Sequence, residues 1–189
     1  YVRGVEPAFR ADQSYLGQIV VREQPGEGPV VWLEEPGRYV VYGWAGDRLI
    51  AYRITGGEHL EVLVLDAPGV ERTLRDGAGV IALGPEGRTI LLADSAARVL
   101  EVELASGKEI ASLDLDSVTA ANGSPVMWAS YSGDWRGSRV VVTAGPGLLV
   151  LALQGGEITA DGVLAIDPER YPGGIVEPRF VDDSGQQIA

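Results

Sequence analysis

Apolar residues in this chain fall in short runs cut by Gly, Pro, Asp and Ser. The clearest stretch is Gly79–Leu115. Val80–Leu83 and Ile90–Leu92 flank a Pro85-Glu86-Gly87 turn, Arg98–Leu104 ends at Ala105-Ser106-Gly107, and Lys108–Leu115 follows. Four short runs joined by tight turns predict one antiparallel four-stranded meander. In Val99–Leu104 the pattern alternates, with Val99, Glu101 and Glu103 on one face and Leu100, Val102 and Leu104 on the other. Val140-Val141-Val142 and Ile90-Leu91-Leu92 do not alternate, which predicts strands covered on both faces.

The same pattern recurs. Arg38–Ile54 predicts a hairpin around Gly46-Asp47, and Val126–Ala144 predicts another around a longer turn rich in Gly and Asp. Third strands are expected at Val30–Leu33, His59–Leu65, Arg98–Leu104 and Leu148–Leu153. Fourth strands are expected at Glu71–Leu74, Glu109–Leu115 and Glu157–Ile166. The most helical window, Asp116–Ala121, is too short to compete.

Val5-Glu6-Pro7-Ala8-Phe9-Arg10-Ala11-Asp12 matches Val176-Glu177-Pro178-Arg179-Phe180-Val181-Asp182-Asp183 at five of eight positions. The copies lie 171 residues apart, or four units of about 43, an ordinary length for a repeat of four strands. Repeat units therefore start near 5, 39, 80, 126 and 176. The expected fold is all-β, a β-propeller of about four blades of four-stranded antiparallel sheet, with 1–189 a single propeller domain or propeller segment. If both repeated segments are first strands, the chain is an arc of a larger propeller; if the two ends share a blade, it is a small closed ring. The chain starts at Tyr1 without methionine and stops in a strand-like stretch, so a piece of something longer is expected.

Composition narrows the function classes. Net charge is −12 with one lysine, and the arginines are scattered, which disfavours nucleic acid and anionic lipid. There is no cysteine, so disulfides, thiolate metal sites and cysteine nucleophiles are absent. No apolar run approaches the roughly 20 residues of a membrane helix, so no direct membrane insertion is expected.

A family resemblance rests on particular residues. Pro85-Glu86-Gly87-Arg88-Thr89-Ile90-Leu91-Leu92-Ala93-Asp94 resembles the P-D-G-[KR] hairpin of bacterial β-propeller repeats of the YVTN and TolB-like kinds, with Glu86 in place of Asp. Arg98–Lys108 is similar to their V-x-V-x-D-x-x-[TS]-G-[KR] strand, and Val176–Ala189 to their P-x-F-S-x-D-G form. The resemblance implies a propeller, a location outside the cytoplasm (periplasmic, cell surface or secreted) and no particular activity.

Candidate chemistry is sparse. His59, the only histidine, sits between Glu58 and Glu61 and reads as a solvent-facing strand residue. Asp47, Asp94, Asp114, Asp116, Asp134, Asp182 and Asp183 could contribute to a calcium site, but Asp114-Leu115-Asp116-Ser117 lacks the later Gly and Glu of a calcium loop, and carboxylates in turns are usually structural. No serine stands in G-x-S-x-G, and Gly107-Lys108 lacks the rest of a phosphate-binding loop. No catalytic residue and no cofactor is therefore assigned, calcium being the one open choice. The aromatic residues Trp44, Trp128, Tyr131 and Trp135, with Asp134, form the candidate binding set, because exposed Trp and Tyr dominate binding hot spots.

The function expected is a non-catalytic binding or scaffold propeller that takes a protein partner or a small ligand on a loop face. Two other readings stay open: a lactonase-like hydrolase with a central calcium, and a structural subunit completed by a partner chain.

Overall fold

A computed structural model describes residues 17–21, 28–56, 59–119, 123, 126, 129–144, 147–165, 178–181 and 188. The chain divides into two compact units, Tyr1–Gly77 and Ala78–Ala189.

In the first unit, β1 (Gly17–Val21), β2 (Val30–Ala45), β3 (Arg48–Thr55), β4 (His59–Ala67) and β5 (Val70–Asp76) follow one another in sheet order, all antiparallel. The 16-residue β2 serves twice. Its first half pairs with β1, from Val21↔Val30 to Gly17↔Gly37. Its second half, Arg38–Ala45, opens a meander with β3, β4 and β5. A straight strand would hold Trp32 and Trp44 about 40 Å apart. Their ring centroids are 5.1 Å apart, so β2 bends sharply between them. Gly37 permits the bend, because a Cβ there would lie 2.7 Å from the Tyr39 ring.

The bend lays the β1–β2 hairpin on one face of the meander. Ile19, Val21, Trp32 and Leu33 pack against Tyr39, Leu49, Ala51, Leu63 and Leu65. Val30–Leu33, expected as a free-standing third strand, is thus continuous with the first strand of the next meander. The strand bends at Gly37 rather than ending there.

The second unit holds two four-stranded meanders, β6 (Ala78–Leu83) to β9 (Glu109–Asp114) through β7 (Thr89–Asp94) and β8 (Arg98–Glu103), and β10 (Ala129–Arg136) to β13 (Glu157–Ala165) through β11 (Arg139–Ala144) and β12 (Gly147–Gln154). A single 3-10 turn, Leu115–Ser117, stands where the most helical window was read. Burial falls from first strand to last: Ala78–Ala82 is buried throughout, whereas β9 is mostly exposed. Ile81, Leu91, Val99 and Ala111 pack face to face on Val140, Val142, Leu149 and Leu151. Val141 points the other way and meets Leu148, Val150 and Phe180. The unbroken Val140–Val142 run is therefore buried from both sides, as its pattern predicts.

Each meander is a propeller blade, and the chain is an all-β protein of the β-propeller class. Three blades are complete among the described residues. The β1–β2 pairing and the isolated Phe180↔Ile188 bridge are additional to these three meanders.

One stretch departs from the sequence reading. The longer turn expected within Val126–Ala144 is short: Gly133 and Asp134 lie in β10, and the reversal is confined to Gly137-Ser138. Gly133 acts there as a spacer. A Cβ at 133 would lie 2.7 Å from the Val141 carbonyl oxygen and 3.0 Å from Ile81 Cγ2, so the two first strands β6 and β10 approach through it. Gly133→Ala should cost about 1–3 kcal/mol, the range for an overpacked core. Gly133→Val should cost more, and urea unfolding of the two variants checks this order.

Candidate functional site

Trp44, one of the predicted binding residues, lies on an exposed apolar surface. It is the penultimate residue of β2, opposite Leu49, close to the Gly46-Asp47 turn. It is 41% exposed and meets the Trp32 ring edge-on, at 87°. The Pro68-Gly69 turn lies at the same end of the meander, and the Gly69 N–H donates to the Trp32 carbonyl at 2.9 Å. Pro68 is exposed there, and Val70 is 53% exposed. Beneath them Trp32 is buried, and its Nε1–H has no partner. A buried donor left unpaired typically costs about 1–3 kcal/mol. Trp32, Pro68 and Val70 were absent from the sequence-based set. No local pattern marks them, because they meet only through the bend in β2 and the fourth-strand turn.

The remaining candidates belong to the second unit. Trp128 lies outside the described residues, and so do Asp182 and Asp183. Tyr131 lies within β10. Asp134 and Trp135 are neighbours on β10 and so face opposite ways. Trp135 packs partly against the core between the two blades of its unit, and its Nε1–H donates to the Gly137 carbonyl at 3.0 Å. Asp134 accepts the Phe180 backbone N–H at 2.9 Å and Arg136 Nε at 3.3 Å.

Two of the groups read as candidate chemistry, Asp94 and His59, are held by internal partners. Asp94 closes the β7–β8 turn. Its Oδ1 accepts the Ala96 and Arg98 backbone N–H groups at 2.9 and 3.0 Å, and its Oδ2 accepts Nε and a terminal nitrogen of Arg98 at 3.0 and 2.8 Å. This double grip also holds Ala97 at φ 57°. His59 is exposed and paired with Asp76. Asp47 is exposed at its turn. No group of three or more potential metal-ligating side chains occurs among the described residues.

Two polar clusters flank the first meander. Arg53 reaches Glu71 at 2.6 Å, Glu61 at 3.3 Å and Glu35 at 3.5 Å, and lies 5.9 Å from the Tyr39 ring centre. Burial works against its charge, but bonds to Glu71 and Tyr39 outweigh that and hold the guanidinium above its ordinary value. Asp66 lies between Arg48 (2.7 Å) and Arg72 (3.1 Å). Burial pushes its carboxyl up, yet the two arginines outweigh it and leave it below the usual range. Glu101 differs: it shares the inner face of β8 with Val99, and burial raises it more than a bond to Thr89 lowers it.

No family model matches the chain, and no curated protein matches it in sequence. Solved structures do match. The chain is similar to the β-propeller domain of Myceliophteria thermophila Cps50 (Swd1), at 19% identity and TM-score 0.47, over 73% of this chain and 42% of that one. It is similar to BamB from Moraxella catarrhalis at 13% identity and TM-score 0.47, over 77% and 43%. It is also similar to glutaminyl cyclase from Myxococcus xanthus at 15% identity and TM-score 0.46, over 92% and 79%. The chain thus spans less than half the length of the Swd1 and BamB structures.

The shifted carboxyls set opposite pH responses. Asp66, lowered by folding, stabilises the fold above its unfolded value, and that gain is lost as pH falls through its folded value. Asp66→Asn should therefore melt lower than the parent at neutral pH, with the gap closing in acid. Glu101, raised by folding, costs stability when ionised, and the cost is relieved as pH falls through its folded value. Glu101→Gln should melt higher at neutral pH, and again the gap should close in acid. Thermal melts between pH 3 and 8 read both.

Proposed function

We propose that this chain is a non-catalytic binding module that engages a protein partner through the turn-bearing end of its first meander. The observation that carries this reading is Trp44, exposed and seated edge-on against the buried Trp32, with Pro68 and Val70 exposed at the same end. Such a pair offers a large rigid contact area at little cost in side-chain entropy. The fixed partners of Asp94 and Asp134 support a structural role for these two of the carboxylates read as candidate chemistry. In line with the bacterial repeats it resembles, the module is placed outside the cytoplasm, which fractionation of the source cells tests.

The binding reading is tested by affinity capture with the parent chain, Trp44→Ala and Val70→Glu, each checked for folding by circular dichroism. Partners held by the parent should lose about tenfold or more in affinity for both variants, the scale of a hot-spot residue. Equal affinity for all three chains overturns the assignment.

A further inference from the structure

The second unit carries a groove of about 390 Å³ between β9 and β13, within the range of roughly 300–1,000 Å³ usual for binding sites. Each of these strands is the last of its sheet among the described residues. Val118 and Ile158 form a buried floor, flanked by the partly buried Leu113 and Val163. Ala160 and Gly162 leave the β13 wall nearly bare. β13 bulges between them at Asp161, so that Ala160 pairs with Leu151 and Gly162 with Val150. No charged side chain lines the groove. Its surroundings are the reverse. The segments 109–119 and 157–165 carry Glu109, Asp114, Asp116, Glu157 and Asp161, and no lysine or arginine. Two arginines lie near these carboxylates and both hold partners: Arg98, opposite Asp114, is bonded to Asp94, and Arg139 to Asp161.

We propose that this groove takes an extended segment of a partner protein, with an aliphatic or aromatic side chain seated over Val118 and Ile158 and lysine or arginine beside it. The apolar floor supplies contact area, and no charge has to be desolvated to cover it. The acidic flanks select the sign of the neighbouring residues, and they disfavour acidic segments and phosphate-bearing ligands. The β13 side of the groove, Ile158–Val163, spans roughly 17–20 Å as a strand, which fits extended chain rather than a compact ligand. The groove involves no residue of the Trp44 surface, so this proposal and the partner reading above fail independently.

The test presents a phage-displayed library of random heptapeptides to the full chain and carries the selected sequences to Gly162→Arg, Asp116→Lys and Trp44→Ala. A Cβ at 162 meets no atom within 4 Å, and the backbone there is not left-handed, so Gly162→Arg fills the groove without displacing the fold. Selected peptides should carry an apolar residue beside lysine or arginine. Their synthetic, fluorescent forms should bind Gly162→Arg about tenfold or more weakly than the parent, and should keep their affinity for Trp44→Ala. Asp116→Lys, a reversal at an exposed position, should weaken them too, as should raising sodium chloride from about 0.05 to 0.5 M. Should Gly162→Arg lose its β-sheet signal, Thr159→Arg, at an exposed lining position, replaces it. A library that yields no binder, an acidic consensus, or peptides that bind the filled groove as well as the parent overturns the proposal.

Discussion

Burial of both faces of a sheet is the constraint on which the second unit depends. A sheet covered on one side needs apolar residues only at alternate positions, whereas a blade between neighbours needs them at every position. Val140, Val141 and Val142 meet that demand: two enter the seam with β6–β9, and the middle one supports Phe180. Leu148–Leu151 on the next strand repeats the division, Leu149 and Leu151 to one side, Leu148 and Val150 to the other. Such a seam works only if the strands come close, and Gly133 opposite Ile81 permits this. The outer strands face a weaker demand, and β9 and β13 are accordingly mostly exposed.

Charge is accommodated around these seams. The 27 carboxylates of the sequence far outnumber its lysines and arginines, so cations are shared where acids gather. Arg53 serves three glutamates beside the hairpin-covered core, and Asp66 draws on two arginines on the opposite face of the same meander. Asp94 shows why a carboxylate in a turn is a poor guide to chemistry: four donors already occupy its two oxygens. Glu101 is the exception, because the seam charges it a desolvation cost that no cation offsets in its shift.

Much of this was legible in the sequence. The Pro85-Glu86-Gly87 hairpin, the alternation of Val99–Leu104 and the unbroken valine run each depend on neighbours in sequence, and each formed the strands expected of it. What escaped depends on distant contacts. Gly and Asp in Ser132–Arg136 signal a turn locally, but here the glycine gives room for another strand and the aspartate seats Phe180, 46 residues away. The ring contact behind Trp44 escaped for the same reason. Trp44 was identified because it sits beside a turn, while Trp32 was read only as strand, since nothing in Val30–Glu35 shows that the strand will bend back onto it. Asp134 and Trp135 were adjacent in sequence and so were grouped, although the pleat sends them to opposite faces.

The shared strand β2 has a consequence for how the first unit comes apart. Arrays of repeats tend to fray one module at a time, because each module keeps its own hydrogen-bond ladder. Here a single segment supplies the rung edges of two ladders, with its corner fastened by the Tyr39 hydroxyl on the Glu35 carbonyl at 3.0 Å and by Arg53. Peeling the amino-terminal hairpin away strips the cover from Leu49, Leu63 and Leu65, and straightening β2 severs the following meander at its first strand. The hairpin and the meander are therefore joined in one cooperative melting step, through the corner that Gly37 makes room for.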